Sequence, residues 1–320
     1  MIVSVARGGL AAIRNLVLLT ALPVGLALMA HPALAGDTCG SGTAGGTDSV
    51  ACGTGSSASG EYAAAFGYDA GASGQGAAAY GYHSLANNIA SAAYGTEATA
   101  SGQDSSAYGY TSTAKGFVSS AYGSEATASA DYSSAFGYNS QAYHTGDVAV
   151  GGDSAAGTSG GSTFYDTAVG YGAQATGGSS TALGYVSIAS GIDSTAIGYN
   201  SNAGNDYSFA AGANAKAVGP NSVAIGGGDN VSHGNGPVAY NTASIAIGPN
   251  STAGVSGGTQ LHDIAIGDDT QAIGSYSEAM GSGSTASGSY SAAYGEGSVA
   301  SGASSAAFGP CVACLPGQGN

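Results

Sequence analysis

A tripeptide of alanine, a bulky apolar residue and glycine recurs through this chain at a near-constant interval. The bulky residue is Phe66, Tyr80, Tyr94, Tyr108, Tyr122, Phe136 and Val150, each 14 residues after the last. After a phase shift it is Val169, Leu183, Ile197, the weak member Ala211, and Ile225. Two more interruptions lead to Ile247 and Ile266, then Met280, Tyr294 and Phe308. Counting back from Phe66 reaches Cys52, so there are 18 units; of their 17 intervals 14 are 14 residues long and the others 19, 22 and 19. A short period that keeps its phase over 256 residues prescribes stacked coils, each covering its neighbours.

One unit, residues 106–119, shows how a coil closes. Ala107 and Ala114 stand seven apart, and Gly109 and Gly116 follow each by two. Side chains alternate across a strand, and glycine supplies the positive backbone angles of a tight corner. The expectation is two short strands and two corners per coil, in an all-β, parallel β-roll (solenoid) of about 18 coils. Helix is excluded, because glycine every few residues costs about 1 kcal/mol each and no 3.6-residue period exists. The alanine before each bulky residue suits a narrow interior, so the bulky residue points outward. Phe66, Tyr80, Tyr94, Tyr108, Tyr122 and Phe136 then form a stripe larger than soluble monomers usually expose. A partner must cover it, and the simplest is another copy of the chain. The residue two positions earlier shares that face. It is small beside an aromatic residue (Ala78, Ser106) and often larger beside an aliphatic one (Val148, Ile245), as constant-volume packing requires. Glu278 beside Met280 breaks the rule. At strand spacing, 18 coils make a rod of ~85 Å.

Residues 1–35 read as a cleaved secretory signal peptide, with Arg7 and Arg14, an apolar stretch over 16–30, and Ala33-Leu34-Ala35 before Gly36. Beyond it the chain has two lysines against 19 acids, a formal charge of −17. That balance excludes a nucleic-acid partner and disfavours anionic membranes. No later apolar run is long enough to insert directly into a bilayer as a helix. The four cysteines sit at the two ends: Cys39 and Cys52, then Cys311 and Cys314. Cys39 and Cys52 are 13 residues apart, almost one coil, so stacking could bring them into bonding range. Capping disulfides, bonds between chains, and free or metal-bound thiols all remain open for the four. No histidine stands in a spacing that suggests a catalytic triad, and no cofactor or metal site is expected: the chain does not read as an enzyme. Tyr68, Tyr82, Tyr110 and Tyr138 lie two residues past the bulky position. They either pack over a corner or form an outward stripe for ligand contact. The interruptions, near 152–165, 227–241 and 249–261, cannot fit within a coil and are expected to project as loops, where recognition often concentrates.

Three segments carry a resemblance: Asn221-Ser-Val-Ala-Ile-Gly226, Asp193-Ser-Thr-Ala-Ile-Gly198 and Ala243-Ser-Ile-Ala-Ile-Gly248. They resemble the head repeats of trimeric autotransporter adhesins, the yersinial adhesin and haemagglutinin-type heads. The likeness covers most of residues 50–309, after an N-terminal cap at 36–49 that carries Cys39 and before a tail at 310–320 that carries the CxxC. It implies a left-handed roll, a homotrimer around an apolar axis, and extracellular or bacterial-surface display. The bulky residues from Phe66 to Phe308 would then be trimer-seam residues. It also implies attachment to matrix proteins such as collagen, to cells, or to biofilm components. The family's coiled-coil stalk and membrane anchor find no match after Phe308. This predicts a free head, a head held by another component, or rods joined through their cysteine-bearing ends into an extracellular filament or coat. The aromatic bulky residues of the first coils also depart from the Val and Ile usual in the motif.

Overall fold

The structure, a computed structural model, describes residues 37–228, 235–259 and 261–309. The leader, Cys311, Cys314 and the tail from 310 lie outside the described residues. Each coil holds one three-residue strand and one two-residue strand, such as Ser106–Tyr108 and Thr113–Ala114. The three-residue strands form a 19-stranded parallel sheet from Asp37–Cys39 to Ala306–Phe308. The two-residue strands form a second parallel ladder, from Thr43–Ala44 to Val299–Ala300. Register keeps like opposite like: Ala107 faces Ala93 and Ala121, and Tyr108 faces Tyr94 and Tyr122. The repeat therefore becomes columns of like residues along the rod, alanine in each repeat unit at the place of Ala107 and mixed apolar at that of Tyr108.

The interior is built almost entirely of alanine and serine. Ala107, Ala114, Ala121 and Ala128 have no solvent exposure. Two further inward columns, which the repeat analysis did not anticipate, are mostly serine. Ser112 and Ser119 are also fully buried. Ser119 donates its hydroxyl to the carbonyl of Gly116 at 2.8 Å, and Ser112 donates to that of Gly109 at 3.1 Å. A hydroxyl satisfied three residues back costs little to bury, and serine is scarcely larger than alanine. Each buried methylene-sized group contributes about 0.8 kcal/mol, so stability accrues from many equal small terms.

The corners correct the reading that both glycines supply positive angles. Gly109 does, at φ +140°. Gly116 has no such angle. It is small because a Cβ there would lie 1.9 Å from the carbonyl oxygen of Ala130 in the next coil. The left-handed positions fall mostly on non-glycine residues, among them Thr111 (φ 51°) and Val118 (φ 53°). Both N–H groups are paired to the preceding coil, Thr111 to the carbonyl of Thr96 and Val118 to that of Gln103, each at 2.9 Å. Neighbouring coils over-determine the corner and hold a backbone state that branched side chains disfavour.

The interruptions are narrower than the windows read from the repeat. Each window retains its two-residue strand in register: Ala155–Ala156, Val238–Ala239 and Thr252–Ala253. In the first and third, the extra residues leave after that strand. Ten residues (157–166 and 254–263) stand where a plain coil has five (143–147). In the second they leave before it, with twelve (226–237) where a plain coil has four (137–140). The first and third loops therefore emerge at one edge of the rod and the second at the other.

Candidate interaction surfaces

The outward column of the long-strand sheet is a stack of rings. Phe66, Tyr80, Tyr94, Tyr108, Tyr122 and Phe136 follow one another at centroid separations of 4.8, 4.7, 4.6, 4.6 and 5.1 Å. Strand spacing imposes this separation, and it matches the near-parallel stacking that rings tolerate. Burial between neighbouring rings raises the hydroxyl pKa of Tyr94 and Tyr108 above the ordinary tyrosine value. The aliphatic members continue the column in register: Val150, Val169, Leu183, Ile197, Ile225, Ile247, Ile266. Met280, Tyr294 and Phe308 close it. None is buried; Leu183 is 45% and Phe308 69% exposed. Glu278, the exception to the packing rule, accepts a hydrogen bond from the Tyr294 hydroxyl of the next coil, which raises that hydroxyl's pKa.

Tyr68 and Tyr82 stack at 5.4 Å, with both rings about half exposed. Tyr110 and Tyr138 are as exposed, but Thr96, Ser124 and Gly152 separate them from ring neighbours in their column. Tyr171, Tyr185 and Tyr199 extend the same column at 5.5 and 5.6 Å. A third column, missed from the sequence, stands four residues before the bulky position. It includes the stacked series His262, Tyr276 and Tyr290 and the exposed rings of Tyr62, Tyr132 and Tyr207. Its signal was in the register: these residues share one place in the 14-residue frame.

Three acids occupy the buried serine column: Asp166 and Asp263 at the ends of the first and third loops, and Asp147 one coil before Asp166. Asp147, Asp166 and Asp263 have no solvent exposure. Asp147 accepts the N–H of His144 at 2.8 Å and that of Asp166 at 2.9 Å. Thr163 of the first loop lies 3.3 Å from His144 Nδ1, so the loop folds back over this pair. The third loop is held by Asn241, whose amide takes the N–H of Val255 at 2.7 Å and donates to the carbonyl of Gly258 at 2.9 Å. Asp263 accepts both the N–H and the hydroxyl of Ser277. Its other oxygen is buried without a partner.

Burial raises the pKa of Asp263 above its ordinary 3.8, against the hydrogen bonds from Ser277. A carboxyl that holds its proton more tightly when folded stabilises the fold most below its unfolded pKa. That stability is lost as pH rises through the raised folded value. Asp263→Asn should therefore lessen the loss of thermal stability as pH rises above the ordinary carboxylate range. An unchanged pH dependence in thermal unfolding would refute the assignment.

At the N-terminal end Cys39 faces Cys52 in parallel register, with Cα atoms 4.5 Å apart. The architecture is a parallel β-solenoid with one continuous apolar column on its surface. The YadA head domain repeat family model matches residues 44–70, 93–119, 114–140, 128–154, 164–187, 189–215 and 203–228. These matches run across residues 44–228, and the chain belongs to the family of adhesin head repeats. The family implies an adhesin-type role and a cell-surface or extracellular location, and it is not a family of enzymes. No curated protein matches the chain.

Proposed function

We propose that this chain is the head of a homotrimeric adhesin, a left-handed roll whose long-strand face packs against two other copies. The exposed column from Phe66 to Phe308 carries this reading, since an apolar stripe of that length in water is unfavourable. The trimer would present three copies of each tyrosine column and each loop, so many weak contacts would combine into firm attachment to matrix, cells or biofilm polymer. Tyr68, Tyr82, Tyr110 and Tyr138 and the three loops are the proposed contact elements. Export through the cleaved leader fits a disulfide between Cys39 and Cys52, which would close the first coil within one chain. Links within a chain leave the end-joined filament without bonds from these two cysteines, so the head reading is preferred.

Light scattering on residues 36–320, with and without reductant, tests the assembly. A reductant-independent trimer is expected, and a monomer would refute the seam. Tyr108→Asp places a carboxylate in the middle of the ring stack. Burying an unpaired charge costs several kcal/mol, once per protomer. The variant should lose the trimer yet keep the strand signal in circular dichroism, because its side chain points away from the coil. A trimer of undiminished stability would show that Tyr108 lies outside the interface. Absence of binding to collagen, cells and biofilm polymer by the intact trimer would end the attachment reading.

A further inference from the structure

Where the second interruption returns to the ladder, at Asn235 and Gly236, lies a cavity that the seam does not use. Its volume is about 360 Å³, within the roughly 300–1,000 Å³ of small-ligand sites. Its floor is the outward face of the short-strand ladder, where Lys216, Val238 and Thr252 stand in register. Its walls are Asn200 and Asn214 from two successive corners, Asn250 from a later one, Asn235 from the returning end of the interruption, and Tyr240. These residues lie up to 52 positions apart in the chain and meet because the interruption leaves the register intact on both sides.

The amides are held in place. Asn200 donates to the side-chain oxygen of Asn214 at 2.7 Å, and Asn214 donates to the carbonyl of Gly228 at 2.7 Å. Asn235 and Asn250 clasp each other: the N–H of Asn235 reaches the Asn250 side-chain oxygen at 2.6 Å, and the N–H of Asn250 reaches the Asn235 carbonyl at 2.7 Å. That pattern leaves the Asn200 side-chain oxygen, the Asn250 amide nitrogen and the Asn235 side chain without partners among the described residues. Acceptors and donors are thus mixed in one wall. Such a mixture suits hydroxyl groups, which both donate and accept; a phosphate, which chiefly accepts, would use only the donors. Tyr240 adds an aromatic surface, and Lys216 adds a positive charge. Lys216 and Lys115 are the two basic residues beyond the leader of this acidic chain. Among the described residues no carboxylate lies within ion-pair distance of Lys216. In a negative rod, the cavity is one place where an anionic group is electrostatically welcome.

We propose that this cavity binds a carboxylate-bearing sugar, a uronic-acid unit of a surface or matrix polysaccharide. Lys216 takes the carboxylate, and the asparagines take ring hydroxyls. The role of such a site in attachment rests on the adhesin reading above; binding of the sugar itself does not.

The test is titration of the purified chain with methyl β-D-glucuronide, with the neutral methyl β-D-glucoside, acetate and inorganic phosphate as comparators, followed by calorimetry or ligand-observed NMR. The glucuronide should bind about tenfold more tightly than the glucoside, as one charge-assisted contact allows. Lys216→Gln, at an exposed position, should remove that preference and leave the fold intact. Asn250→Ala should weaken both sugars by opening the clasp. No glucuronide binding to the parent chain, or a preference that survives Lys216→Gln, would overturn the proposal. Acetate or phosphate binding as tightly as the glucuronide would reduce the site to an anion site and overturn the sugar assignment. A trimer that binds the glucuronide but attaches to no surface would confirm the cavity and refute the adhesin reading. Normal attachment with no glucuronide binding would do the reverse.

Discussion

Gly109→Ala is expected to destabilise the rod by more than about 3 kcal/mol, whereas Gly76→Ala should change stability by less than about 1 kcal/mol. Both glycines have positive φ, and their surroundings separate them. Gly109 sits at φ +140°, a region that side chains essentially never occupy. A Cβ there would lie 2.3 Å from the carbonyl oxygen of Gly123 in the next coil, a backbone atom that accepts the N–H of Ala126 within its own corner. Neither the strain nor the clash can be relieved without parting two coils. Gly76 sits at φ +65° with nothing within 4 Å of the added carbon. The same place in adjacent coils already holds Tyr62 at φ 58° and Ala90 at φ 52°. Urea or thermal unfolding of the two variants checks the contrast. Equal effects would mean that the corner glycines are needed for backbone freedom alone and that coil contact contributes nothing.

The second large effect comes from the interior. Ala121→Leu adds a branched side chain where Ala107 and Ala135 lie directly above and below and solvent exposure is nil. Overpacking an ordinary core costs about 1–3 kcal/mol, because neighbouring side chains shift. In this coil the neighbours are methyl groups and backbone with no rotamers to change, so the upper end of that range or more is expected. The damage should also be confined. Each coil contacts only the coils beside it, so stability sums along one dimension and a lesion does not propagate to the ends. Hydrogen exchange should show lost protection in the coils around residues 107–135, with the coils near 195–225 little changed. Uniform loss along the whole rod would refute nearest-neighbour additivity.

How much of this was legible in the sequence can be traced residue by residue. The period placed every long strand from Val50–Cys52 onward, because alanine next to a bulky residue marks the same point of each coil; the strand Asp37–Cys39, in the segment read as a cap, lacks that mark. It also put Ala107 inside and Tyr108 outside, since alternation leaves no other choice for a strand in a narrow roll. The corners were less legible. Glycine signals freedom and smallness with the same letter, and Gly109 needs both while Gly116 needs only smallness. Val118 and Thr111 in left-handed conformations could not be foreseen, because local preference disfavours them and only the adjoining coil holds them there. The buried acids were legible in position but not in meaning: Asp147, Asp166 and Asp263 replace serine in the frame, yet that column's inward direction appears only in the fold.

The sequence by itself determined the period, the inward alanines, the outward apolar column and the number of coils. These follow from residues that repeat within a coil, so local chemistry is enough to state them. Tertiary structure alone decided which edge each interruption leaves from, which serine and aspartate groups close on which backbone, and that Lys216, Asn235 and Asn250 share one cavity. An interruption has no phase of its own. Its path is set by the hydrogen-bond ladders of the coils on either side, and those exist only once the rod has stacked.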